Sequence, residues 1–166
     1  MLLFGSRLKR ITNEIRTNIN KDGGSVFIPP KGFTRRNCDT LADEFADDGY
    51  LIAPSFLNQF EGESHSSDSV EFILIANNPA VMWSAWHKFL ASLIEAEKER
   101  LHSAKGEETE SFLHAEDCEI FVKMTDDLSK MLKEKYGLQL QEYEHMQILR
   151  SLIALEKIDN MEMGRG

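Results

Sequence analysis

Apolar residues return along the start of the chain at helical spacing. Phe4, Leu8, Ile11, Ile15 and Ile19 follow at intervals of four, three, four and four, which predicts an amphipathic helix over Leu2–Asn20. Lys21–Gly24 ends it, and Ser25–Ile28 reads as a short strand stopped by Pro29 and Pro30. A second helix is expected over Thr34–Asp47, with Cys38, Leu41, Ala42 and Phe45 as its inner face, before Asp48-Gly49 turns the chain. Tyr50–Phe60 and Ser69–Ala76 read as two strands joined by the polar loop EGESHSSDS. Phe72 to Ile75 is an unbroken apolar run, as in a strand covered on both faces, while Pro54 assigns its partner to an edge or a bulge.

The pattern changes at Asn78-Pro79, an N-cap followed by a favoured first helical residue. Ala80–Ala104 then reads as a long helix with Met82, Trp86, Phe89, Leu90, Leu93 and Leu101 inward, and Lys105–Glu110 as a connector. Ser111–Tyr136 follows, with a break allowed near Thr125 and a stop at Gly137. Gln139–Ile158 is the last predicted helix, with a broad apolar arc of Met146, Ile148, Leu149, Leu152, Ile153 and Leu155. The expected fold class is α+β: an N-terminal helix and a small antiparallel sheet in winged-helix-like order, then a three-helix C-terminal layer. The expected organisation is an α/β part over residues 1–78, a helical part over 79–158 and a flexible tail over 159–166.

Composition narrows the class. The chain has 166 residues, 42% hydrophobic and 28% charged, enough for a core without staples and unlike any low-complexity or disordered composition. No apolar run approaches the roughly 18 to 20 residues needed to cross a bilayer, so no membrane contact is expected. MLLFGSRLKR places its apolar residues before its basic ones, the reverse of a signal peptide. Two cysteines, Cys38 and Cys118, make no secreted disulfide framework, and a cytoplasmic protein is expected. The net charge of -9 is unevenly spread. Residues 1–36 carry eight basic residues against Glu14 and Asp22, whereas residues 37–80 carry nine acidic residues and no Lys or Arg. Such asymmetry marks either a surface for a charged partner or two segments that neutralise each other in the fold.

Catalytic and metal chemistry find little support. Glu99–His102 and Glu142–His145 both spell Glu-x-x-His, the spacing used by di-metal carboxylate bundles. On a helical wheel with Trp86 at zero, Glu99 and His102 fall at about 220 and 160 degrees, away from the inward residues. His114 and Cys118 are four apart, and with Cys38 and His65 they make a weak zinc set that no CxxC or HxxxH pair anchors. There is no Gly-x-Ser-x-Gly elbow, no phosphate-cradling glycine loop and no His-Glu-x-x-His. The chain is therefore read as a non-enzyme with no cofactor, no metal and no catalytic residue.

Two binding classes remain. Arg10, Lys31, Arg35 and Arg36 are the candidate nucleic-acid contacts, since a helix start and flanking basic residues dock on phosphates. Against this, the body of the second helix carries Asp39, Asp43, Glu44, Asp47 and Asp48, which repel phosphates. The favoured class is a non-catalytic interaction subunit, adaptor or inhibitor of a larger complex. Its candidate partner face is Trp83, at about 60 degrees on that wheel and so beside the core stripe, with Met146, Leu149 and Ile153 on the last helix. Five of seven methionines lie at 124, 131, 146, 161 and 163, and methionine is common on adaptable binding surfaces. The expected partner is another protein, with a second copy of the chain as one form it can take.

Overall fold

Around one short strand, the first half of the chain assembles three layers. A computed structural model describes residues 2–19, 23–30, 32–54, 70, 72–103 and 113–163; the side chains of residues 2–6 (Phe4 included), 54, 103, 162 and 163 lie outside the description. The elements in order are α1 (Leu2–Asn18), β1 (Gly24–Phe27), α2 (Arg35–Ala46), β2 (Leu51–Pro54), β3 (Ile73–Ala76), α3 (Pro79–Ser103), α4 (Ala115–Tyr136) and α5 (Glu142–Met163). This is the α+β fold expected from the pattern. The loop EGESHSSDS and the connector Lys105–Glu110 lie outside the described residues. The chain divides into two compact units, 1–86 and 87–166.

In the first unit the sheet runs β1-β3-β2, with both outer strands antiparallel to β3. Among the described residues β2 is an edge strand, the position in which a strand accommodates a proline such as Pro54. All four residues of β3 are buried, so its continuous apolar run reflects cover on both faces. Ile73 and Ile75 join Ile11 and Ile15 of α1 and Cys38, Leu41 and Phe45 of α2 in one core. Gly24, on the other face, has no room for a side chain: a Cβ there would lie 2.6 Å from Val81 Cγ1 and 3.4 Å from Ala85 Cβ. Phe72 meets Trp86 edge-on at 6.1 Å between ring centres. The first two turns of α3 thus belong with the sheet, and the division between units falls inside α3 rather than at its start.

Local chemistry starts α2 where the sequence suggested. Thr34 Oγ1 accepts from the Asn37 N–H at 3.3 Å, and Asn37 Oδ1 accepts from the Thr34 N–H at 2.9 Å. This reciprocal box satisfies two otherwise orphaned donors and explains why Asn37 is buried. Asn78 starts α3 the same way, accepting from the Val81 N–H at 2.9 Å.

The second unit contains the rest of α3 with α4 and α5. Leu90 and Ile94 of α3, Leu113 before α4, Cys118, Phe121, Met124, Leu128 and Leu132 of α4, and Leu152 and Leu155 of α5 are its buried apolar residues. α4 starts at Ala115, later than the apolar pattern suggested, with His114 as its N-cap. It does not break at Thr125, whose buried hydroxyl donates to Phe121 O at 2.6 Å and so leaves the helical ladder intact. Gly137, at φ +63°, stops it: the Gly137 N–H reaches Lys133 O at 3.0 Å and the Leu138 N–H reaches Leu132 O at 3.2 Å.

α5 runs through Met163, five residues beyond the expected end, so 159–163 is helix rather than loose tail. The reason is Asp159. It is buried and accepts the Ala115 N–H at 2.7 Å, placing a carboxylate on the positive N-terminal end of α4.

Candidate functional site

α5 is a helix with apolar residues on two sides. With Met146 at zero on its wheel, the buried Leu152, Leu155 and Asp159 fall at about -120, 180 and -140 degrees. Tyr143, Met146, Arg150, Ile153 and Met161 fall at about 60, 0, 40, -20 and 60 degrees, on the opposite side. That side is in water: Tyr143 is 74% exposed, Met161 62%, Met146 44% and Ile153 41%. Among the described residues the large apolar side chains left exposed are concentrated here. Outside α5 only Ile28 and Tyr136 join them.

The residues proposed from sequence separate accordingly. Met146 and Ile153 lie on this exposed face and Leu149 is half-buried at its edge. Trp83 is not part of it: it is 7% exposed, because its position beside the core stripe of α3 is itself covered. Met124 is likewise core and offers nothing to a partner. Met161, one of the C-terminal methionines, is exposed, and Tyr143 is a residue the sequence pattern misses, although it stands three residues before Met146 and extends the same stripe.

A groove of about 640 Å³ continues this face between the C-terminal turns of α3 and the middle of α5. Leu101, Leu155 and Ile158 supply its apolar lining, and Lys98, His102 and Arg150 its charged or polar lining. Arg150 and Ile158 lie two four-residue steps apart on one ridge of α5, so the groove and the exposed stripe share Arg150. Lys98 lies 3.6 Å from Glu95 in an exposed pair that water screens.

The basic residues of the first unit sit differently. Arg10 and Arg36 are exposed and Arg35 is half-buried, while Lys31 lies outside the described residues. Arg16 pairs with Asp48 at the end of α2 and lies 4.6 Å above the Phe45 ring. The Thr12 hydroxyl donates to Leu8 O at 2.9 Å and lies 3.3 Å from the Glu44 carboxylate. Basic α1 and acidic α2 therefore neutralise one another in part, and Asp39, Asp43 and Glu44 share the exposed surface of α2 with Arg36.

Groups with chemical potential are held quiet. Burial pushes both thiols up to about 12, with Asp39 adding to the effect at Cys38 and Glu156 leading the charges around Cys118, so neither is a thiolate near neutrality. Among the described residues no three His, Cys, Asp or Glu side chains come together as a metal site. His65 of the weak zinc set lies outside the described residues. Glu99 and His102 both face water.

A pairing not visible in the sequence joins all three helices of the second unit. The rings of His87 and His145 stack at 6.2 Å and 25°, and His145 Nε2 lies 3.4 Å from Asp126 Oδ1. Burial first, and the neighbouring His145 second, lower His87 to about 4. Burial and the adjacent Asp126 raise Asp127 to about 6. In comparisons with known proteins the chain matches no family model, no curated protein and no solved structure.

Proposed function

We propose that this chain is a non-catalytic interaction subunit that binds another protein through the exposed face of α5. The observation that carries the reading is the row Tyr143, Met146, Ile153 and Met161, all in water on the side of α5 opposite its core contacts. Apolar side chains scattered singly over a surface need no explanation, but a row of them along one helix face is a docking feature. Met146 and Met161 also give that face adaptable, polarizable contacts. Trp83 is withdrawn from the partner face and Leu149 is kept at its margin.

The test is a double substitution, Met146→Glu with Ile153→Glu. Each new carboxylate stands four residues before a cation, Arg150 or Lys157, so the helix itself is supported. A tagged chain is used to retain partners from its native host, with and without nuclease. The expected result is a stoichiometric protein retained by the wild-type chain and lost from the double variant at unchanged helix content. Retention of the same protein by both chains would refute the role of this face. Material released by nuclease and by Arg10→Glu/Arg36→Glu would replace the reading with nucleic-acid binding through the first unit.

A further inference from the structure

We infer that the groove between α3 and α5 seats an amphipathic helix of a partner protein whose apolar stripe is flanked by Asp and Glu; this rests on the reading of α5 as a partner-binding face. The chain carries a net charge of -9, yet among the described residues the titratable side chains lining the groove are Lys98, His102 and Arg150. Charge there runs against the average of the molecule, around an apolar floor of Leu101, Leu155 and Ile158. An apolar floor edged by the cations Lys98 and Arg150 is complementary to a ligand that is apolar on one side and acidic at its margins.

Length selects a helix over a small amphiphilic acid. Along α5 the groove runs from Arg150 to Ile158, about 12 Å at 1.5 Å per residue, which matches two turns of a partner helix. Charge selects protein over nucleic acid. A polyphosphate chain needs a longer run of cations than Lys98 and Arg150 supply, on a chain whose net charge is -9, whereas a short acidic helix is matched by two. The Lys98–Glu95 pair is exposed and weak, so Lys98 can exchange its partner at little cost.

The experiment measures fluorescence anisotropy on the full chain with a labelled 16-residue helical peptide. The probe has Leu at i, i+3, i+4, i+7 and i+11 with Glu on both flanks, and its twin carries Lys for every Glu. The expected result is at least about tenfold tighter binding of the acidic peptide, reversed in the Lys98→Glu/Arg150→Glu chain. Arg150→Glu alone should give an intermediate preference at unchanged helix content. Equal binding of the two peptides, or a preference that charge reversal does not move, overturns the inference. So does a labelled oligothymidylate that binds the wild-type chain and not the reversed one, because the cations would then serve nucleic acid. Acidic-peptide binding seen only after Glu107, Glu108 and Glu110 are changed to Gln would assign the groove to the chain's own connector and also overturn it. Failure here, with partner capture still lost in Met146→Glu/Ile153→Glu, removes only the acidic-helix inference and leaves the α5 face standing.

Discussion

α4 and α5 are both 22 residues long and pack against each other, but they treat their apolar residues differently. α4 buries Cys118, Phe121, Met124, Thr125, Leu128 and Leu132 along one stripe and turns most of its charged residues outward. α5 buries Leu152, Leu155 and Asp159, and no residue from Glu142 to Ser151 is fully buried. One helix is built for the interior of its own unit. The other uses part of its apolar content there and leaves the remainder facing water. The lesson is that apolar content alone does not report core. What separates the two is whether the apolar residues share one arc or occupy opposite arcs of the cylinder.

The comparison is broken most severely from the α4 side. Leu128→Ala removes a fully buried side chain and should cost roughly 2 to 5 kcal/mol in urea unfolding. Asp159→Ala should cost about 1.5 to 3 kcal/mol, because it removes the charged acceptor for the Ala115 N–H. Asp159→Asn should recover part of that loss. Gly137→Ala should cost about 1 kcal/mol, since only glycine adopts φ +63° there without strain.

Acid should act more gently, and through opposed groups. His87 has a folded value of about 4, below its ordinary 6.5, so the unfolded chain takes the proton first. Its contribution is fully present above pH 6.5 and is lost as pH falls toward 4. Asp127 runs the other way: raised from 3.8 to about 6, it burdens the folded state above pH 6 and relieves it as pH falls toward 4. Thermal melts from pH 7 to 4 should therefore fall more steeply in Asp127→Asn than in the wild type, and less steeply in His87→Phe. The smallest expected effect is on α5 itself. Ile153→Glu should change stability by less than about 0.5 kcal/mol, as surface substitutions do; a larger loss would show that this face is core after all.

The single-arc elements were the legible ones. Ile11 and Ile15 of α1, Leu41 and Phe45 of α2 and Leu128 and Leu132 of α4 repeat at four residues, and each is buried. β3 was legible because an apolar run with no alternation fits only a doubly covered strand. Less legible was the direction of drift along α3: Met82, Trp86, Leu90 and Ile94 step by four, so the buried arc rotates by about 40 degrees each time and reaches Ile94 and Glu97. A wheel fixed on Trp86 does not show that rotation. The end of α5 was obscured for another reason: a charged residue reads as solvated until the helix start that it caps is known. The candidate face was half legible: of the residues named for it, Met146 and Ile153 are exposed and Trp83 is buried. The cationic groove and the His87–His145 stack need two helices brought together, which spacing within one helix does not report.

The bond from the Ala115 N–H to Asp159 joins positions 44 residues apart, which gives it a consequence in time. During synthesis at about 5 to 20 residues per second, the first turn of α4 exists for roughly 2 to 9 s before its acceptor has even been polymerised. Helix–coil exchange is faster than that by many orders of magnitude. The start of α4 therefore frays and re-forms repeatedly on the ribosome, and its final register is set late, when the last turns of α5 arrive to hold it.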